Sequence, residues 1–226
     1  VILLVFRDTI LGFVTGIHVS TSKNLKIGDW IGIPKYNIEG NIQDINLLTT
    51  KIVNFDKTIS TIPTYDLLST EIRNHQVMYE GSSRRIKRSI YFNIKSFKFV
   101  DDEFYEKVKD INLISEYLDR KLREIAESKK NIPHAERIIN GQQLTNIGLF
   151  RNYVLNYLKN NPKVDQDEIV LVRQLEISPQ GMPLEIYCFA NKAELVDYER
   201  IQADIFDHIL TAAQEFDLEI MQVAKA

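Results

Sequence analysis

The chain has 226 residues, with 28 Lys and Arg against 31 Asp and Glu and a formal charge of −3. That length supports one large or two small domains, and 44% hydrophobic with 26% charged residues excludes wholesale disorder. The near-balance of charge gives no global pull toward nucleic acid. The single cysteine, Cys188, excludes an internal disulfide and reads as a small core residue in a reducing compartment.

The sequence opens on Val1-Ile2-Leu3-Leu4-Val5-Phe6, followed by Arg7 and Asp8. Six apolar residues fall short of the roughly 20 that span a bilayer. No basic segment or small-residue cleavage site marks a signal peptide. The run reads as the end of a longer hydrophobic helix, interrupted where charge marks a membrane edge or an aqueous lumen; a buried strand is the alternative. Ile10, Phe13, Val14 and Ile17 then recur at helical spacing, with Thr9, Gly12, Thr15, Gly16 and Ser20 on the opposite face. Gly12 and Gly16, four apart, make a small-residue face that admits close approach. Mid-helix glycine costs about 1 kcal/mol relative to alanine, so the pair predicts packing or a bend.

Residues 25–62 read as short strands, within a β domain taken as 24–80. Leu25, Ile27, Ile31 and Ile33 alternate with polar or small residues, as do Ile42, Ile45 and Leu47 with one slip that fits a bulge. Thr50, Ile52 and Asn54 alternate with Lys51, Val53 and Phe55, and Ile59 to Ile62 forms a last strand stopped by Pro63. This spacing predicts an all-β barrel of SH3-like or Sm-like type. Gly28, Gly32 and Gly40 are expected at turns or bulges, and Trp30 in the barrel core or a subunit contact.

Residues 81–226 read as a second, α+β domain. Ile86 to Ile94 is strand-like, and Asp101-Asp102-Glu103 opens a helix with N-terminal acids. Ser115 is the expected cap of a further helix carrying Tyr117, Leu118, Leu122 and Ile125. The polar stretch 127–145, with Pro133 and Gly141, reads as an insertion or loop. Ile147, Phe150, Val154, Leu155 and Leu158 mark another helix, ended before Pro162. Ile169 to Ile177 and Leu184 to Ala190 flank a hairpin turn at Ser178-Pro179-Gln180-Gly181. A helix over Leu195 to Phe216 and a final strand over Leu218 to Val223 complete a β-α-insert-α-β-β-α-β order, which predicts a ferredoxin-like sandwich.

Little in the sequence proposes chemistry. Arg84, Arg85, Lys87 and Arg88 form the densest basic run, expected to be a solvated strand face or interface ion pairs; an RNA contact lacks interleaved aromatics. Asp204, Asp207 and His208 share a helix face, but one histidine without further ligands reads as local side-chain pairing rather than a metal site. No GxSxG, Walker A, HExxH or CxxC pattern is present. No catalytic, metal or cofactor residue is therefore expected, although an α+β enzyme remains a third class to consider.

Four segments resemble the β domain of the small-conductance mechanosensitive channel (MscS-like) family: Leu25-Lys26-Ile27-Gly28-Asp29-Trp30-Ile31, Gly40-Asn41-Ile42-Gln43-Asp44-Ile45, Thr49-Thr50-Lys51-Ile52, and Thr61-Ile62-Pro63-Thr64 with Leu67 and Ile72-Arg73-Asn74. Arg84 to Ile90, Leu144 to Gly148, Leu184 to Tyr187 and Ile201 to Ile209 resemble its miniconductance (YbdG-like) branch. Thr64 departs from the asparagine common in the family. The resemblance implies a fragment, lacking upstream transmembrane helices, of an inner-membrane homo-oligomer, typically a heptamer, with most of this part cytoplasmic. Residues 1–23 would then be the pore-helix end, with Leu4, Leu3 and Phe6 as gate candidates and Arg7, Asp8, Gly12 and Gly16 at the bend and packing face. Gly28, Asp29, Trp30, Gly40, Thr50, Ile62, Pro63 and Asn74 carry the β-domain motif. Membrane lipid and permeant ions are the implied partners, and nucleic acid is not. A soluble Sm-like RNA-binding protein is the alternative.

Overall fold

The computed structural model of the protein describes residues 6–21 and 25–222. They divide into two compact units at Gly81 and Ser82.

The first unit opens with helix α1 (Arg7–Thr21). Strands β1 (Trp30–Ile33), β2 (Ile38–Ile45), β3 (Thr49–Asn54), β4 (Ile59–Pro63) and β5 (Arg73–Asn74) form one antiparallel sheet in the order β4-β3-β2-β1-β5. Short helices α2 (Asp66–Ser69) and α3 (Gln76–Glu80) flank β5. Period-2 alternation sends Ile31, Ile33, Ile42, Ile52 and Ile62 to one face, where they close a core with Leu67. The β2–β3 register shifts between Ile42 and Asp44, at the slip in the sequence pattern. Pro63, which has no N–H to give, sits opposite Thr49 on the edge strand β4.

Gly32 and Gly40 depart from the expected turn role. Gly32 lies inside β1, and Gly40 lies buried inside β2 opposite Asn54. A Cβ on Gly40 would stand 2.1 Å from the Val53 carbonyl oxygen, so only glycine lets β3 come this close.

The second unit carries a three-stranded antiparallel sheet, β6 (Arg84–Phe92), β8 (Met182–Ala190) and β7 (Leu171–Gln174), in the order β6-β8-β7. Helices α4 (Asp102–Val108), α5 (Asn112–Lys129), α6 (Asn146–Lys159) and α7 (Leu195–Ala212) complete it. The central β8 is buried along nearly its whole length, as a strand covered on both faces must be. Phe92, Phe104, Phe150 and Phe216 fill its core. Cys188 is buried there too, and burial pushes its thiol up to about 12, so it stays protonated.

Local chemistry explains most helix starts. Asp101 caps α4, its carboxylate accepting from the Phe104 amide at 2.8 Å. Thr145 caps α6 in the same way through the Gly148 amide. Ser115 is not a cap. It lies inside α5, which starts after Ile111, and its hydroxyl donates back to the Asn112 carbonyl.

The stretch 127–145 is not all loop either. Helix α5 continues through Lys129, Leu144 is buried and accepts from the Val100 amide, and Thr145 is the α6 cap, which leaves 130–143 as the irregular segment. The expected final strand is reduced, among the described residues, to a single bridge between Ile220 and Phe92. It still places the last segment beside β6, where the fourth ferredoxin-like strand belongs.

Candidate functional site

The site built from the most motif residues is the seat of α1 on the β2–β3 turn. Helix α1 is two-faced. Gly12 and Thr15 are buried, whereas Phe13, Val14 and Ile17 are each more than half exposed and Ile10 nearly so. A globular helix normally hides its apolar face; this one hides its small-residue face.

The partner of that face is the turn Asn46-Leu47-Leu48. A Cβ on Gly12 would stand 2.5 Å from the Leu47 carbonyl oxygen, whereas one on Gly16 would meet only the Leu47 side chain at 3.5 Å. Gly12 is therefore the point of closest approach, and the obstacle is backbone.

Thr64 holds that backbone in place. Its hydroxyl donates to the Asn46 carbonyl at 2.7 Å, and its amide donates to the Leu48 carbonyl at 3.0 Å. One hydroxyl carries one proton, so the 3.0 Å contact between Thr50 and Thr64 has Thr50 as donor. Both threonines are fully buried. Thr64, the departure from the family pattern, thus has a defined task. It links the end of β4 and the start of β3 to the turn under α1.

Next to this turn, Asp66 at the start of α2 is buried and accepts from the Tyr36 and Ser69 hydroxyls, with Lys35 3.7 Å away. Burial would raise its carboxyl, but those hydrogen bonds and the Lys35 charge outweigh it and hold Asp66 below its ordinary value.

The other motif residues hold the β1 end of the sheet. Asp29 accepts from the Lys26 amide and from the Asn74 side chain, both at 3.0 Å, and Asn74 in turn accepts from the Gln76 amide. Gly28 sits in the turn before β1 with φ 96°. Trp30 is half-buried rather than core: its indole N–H donates to Glu39 at 3.1 Å, and its ring packs on Phe55 and His75. Ile62 is core and Pro63 is its exposed neighbour. Phe6 is exposed and its carbonyl accepts from the Ile10 amide, so it leads into α1, and Arg7 is exposed as the first helical residue. Leu3 and Leu4 lie outside the described residues, as does the side chain of Asp8.

The basic run of β6 is spoken for within the unit. Arg84 lies 4.4 Å over the Tyr198 ring, Arg85 5.9 Å over Tyr187 and Arg88 4.7 Å over Phe206, while Lys87 stands 3.8 Å from Glu185. The Asp204 and His208 face of α7 pairs with residues of other segments rather than locally along its own helix. Asp204 pairs with Lys163 at 2.7 Å, and His208 meets the Tyr153 hydroxyl at 2.6 Å with its ring stacked on Tyr157.

The sequence pattern placed Leu47 in an alternating strand run and Thr15 on the small-residue face of the helix, and it did not single out Leu48 or the turn. A signal for the turn exists nonetheless, since two consecutive leucines between strands break the alternation, and both are exposed.

The described residues thus give a helix seated on a small antiparallel β domain, followed by an α+β domain. The comparisons agree. The family model described as "Mechanosensitive ion channel, beta-domain" matches residues 8–77, and "Mechanosensitive ion channel MscS, C-terminal" matches residues 135–220, beginning inside the irregular segment. Together they span more than half of the chain, which belongs to the MscS family of mechanosensitive ion channels.

The low conductance mechanosensitive channel YnaI of Escherichia coli is 24% identical over 92% of this chain and 46% of its own length. The small-conductance mechanosensitive channel MscMJ of Methanocaldococcus jannaschii is 35% identical over 31% of this chain and 20% of its own length. The chain thus spans less than half of these relatives. Among solved structures, Arabidopsis thaliana MSL1 superposes with a TM-score of 0.65 at 15% identity, covering 97% of this chain and 61% of that one. The closed state of Helicobacter pylori MscS gives 0.58 at 15% identity, over 100% and 68%. The fold is therefore shared, and the Sm-like RNA-binding alternative finds no support.

Proposed function

We propose that this chain is the pore-end and cytoplasmic part of a subunit of a tension-gated ion channel, following membrane-spanning helices in a bacterial inner membrane. Seven copies would surround one axis, since a pore needs a closed ring and cyclic symmetry supplies it. Its partners would be further copies, lipid and permeant ions, and its role relief of hypoosmotic stress. Residues 84–90, 144–148, 184–187 and 201–209 favour the miniconductance branch.

The observation that carries the reading is the inverted helix α1, with glycine and threonine buried and Ile10, Phe13, Val14 and Ile17 outward. An apolar face left open in a monomer suits a helix covered by neighbouring subunits or lipid. The seat at Leu47 fixes where that helix leaves the β domain, so movement of the pore helix above is transmitted to a defined point.

The seal itself is assigned to Leu4, with Leu3 and Phe6 as its neighbours. A narrow ring of leucines excludes water and blocks ions without charge, and tension would widen the ring until it wets. Leu4→Ser should lower the barrier to wetting. Patch recordings of the full-length channel are then expected to show opening at lower tension, with Val1→Ser as control for general damage. An unchanged threshold at normal expression would remove Leu4 from the seal.

A further inference from the structure

In the second unit a cleft of about 450 Å³ opens between α5, residues 142–145, the first turns of α6, and β7. Small-molecule sites run from roughly 300 to 1,000 Å³, so the volume suits a metabolite and exceeds the need of a single ion. Its walls carry Lys121 from α5, Arg151 from α6 and Arg173 from β7, and no carboxylate is among the lining residues.

The three cations are held differently. Arg173 is braced by the buried Glu185, with Nε at 2.8 Å and Nη2 at 2.7 Å from the same carboxylate oxygen. Lys121 pairs with Glu124 one helical turn on. Arg151 has no ion-pair partner among the described residues, so its charge stands uncompensated at the cleft. The rest of the lining is mixed. Tyr117 and Ile125 present apolar surface, and Gln142 and Gln143 bring amides that both donate and accept. The α6 helix end is not the receptor, because Thr145 already accepts from the Gly148 amide.

With Arg173 and Lys121 paired to carboxylates outside the lining, Arg151 leaves the cleft a positive charge that selects an anion, and its guanidinium fork matches the paired oxygens of a phosphoryl group. The apolar floor and the two amides have no use for a bare ion, and suit an organic body with ring nitrogens or hydroxyls. We propose that this cleft binds an organic phosphate of mononucleotide size. The phosphoryl group lies against Arg151 and Lys121, and the organic body lies along Tyr117 and Ile125 under Gln143. The inference is independent of the channel reading. It also gives the 130–143 segment a task, since Gln142 and Gln143 form one wall.

Calorimetric titration of the 226-residue chain at physiological salt tests it, with adenosine monophosphate as the probe and inorganic phosphate and adenosine alongside. Saturable one-site binding of the nucleotide is expected, with phosphate and adenosine each weaker by roughly tenfold or more. Arg151→Gln should weaken the nucleotide by roughly tenfold at an unchanged melting temperature, since that side chain holds no ion pair. Should Arg151→Gln shift the melting temperature, Lys121→Gln at an unchanged one carries the same expectation. Gln143→Leu should weaken the nucleotide more than phosphate. Absence of saturable nucleotide binding would overturn the proposal. So would equal affinity for nucleotide and phosphate, which marks a merely basic surface, or nucleotide binding untouched by Arg151→Gln.

Discussion

The two units stabilise themselves to very different degrees. The second buries a continuous core that runs through α4 to α7 and the whole of β8, with Phe92, Phe150 and Phe216 meeting edge to face. The first buries five isoleucines and one leucine, while Phe13, Val14, Ile17, Leu48, Phe55 and Ile59 remain exposed. A small β unit with so short a core is marginal alone, and its uncovered apolar residues include those of the helix, the β2–β3 turn and the edge strand. The difference teaches that the second unit buries a core large enough to carry its own fold, whereas the first leaves much of its apolar surface uncovered.

The largest expected effect breaks or sharpens this contrast directly. Phe150→Ala removes the centre of the second core and should cost that unit about 3–5 kcal/mol. Trp30 is the only tryptophan and lies in the first unit, so its fluorescence reports that unit alone. Denaturant unfolding should show the far-ultraviolet circular dichroism midpoint fall while the Trp30 midpoint stays in place. A joint shift would mean that the units unfold as one, and the contrast would fail.

Gly40→Ala is the mirror experiment. The added methyl would press on the Val53 carbonyl in a strand pair that cannot give way cheaply, at about 2–3 kcal/mol. The Trp30 midpoint should fall and the dichroism midpoint should hold.

Thr64→Val tests the turn beneath α1. It keeps the shape and removes the donor to the Asn46 carbonyl and the acceptor for the buried Thr50 hydroxyl, for about 1–3 kcal/mol on the Trp30 transition. Thr64→Ser keeps the hydroxyl and should recover most of the loss. Equal loss in both would show that the methyl packing, not the hydrogen bonds, holds the turn.

How much of this was legible beforehand depends on the range of the signal. Local signals were readable: the alternating strands, the acidic opening of α4 at Asp101 to Glu103, the hairpin at Ser178 to Gly181 and the small-residue face of α1 all follow from neighbours in sequence. Ser115 misled because a serine four residues into a helix looks the same in sequence as one at its start. The 218–223 segment misled because its alternation met only one bridge. What no local pattern announces is pairing at a distance, such as the guanidinium groups of Arg84 and Arg88 over rings more than a hundred residues away, or Thr64 reaching back to Asn46. The seat of α1 was half visible: Gly12 and Gly16 marked a contact face, and only the fold could say that the contact was the Leu47 carbonyl.

That carbonyl also separates the two glycines, which sequence treats as equals, and this is the smallest effect expected. Replacing glycine by alanine inside a helix gains about 1 kcal/mol from propensity alone. At Gly16 the new methyl meets the Leu47 side chain at ordinary van der Waals distance, so Gly16→Ala should keep that gain. At Gly12 the methyl meets the Leu47 carbonyl oxygen at 2.5 Å, and the turn is tied down by Thr64, so the helix must lift and the gain is spent on the lost contact. Amide hydrogen exchange of α1 reads the difference without needing a channel assay. Protection over residues 10–17 should rise in Gly16→Ala and fall in Gly12→Ala. If Gly12→Ala protected the helix as well as Gly16→Ala does, the helix would not be resting on the Leu47 carbonyl, and the seat assigned to it in the under-cored first unit would be lost.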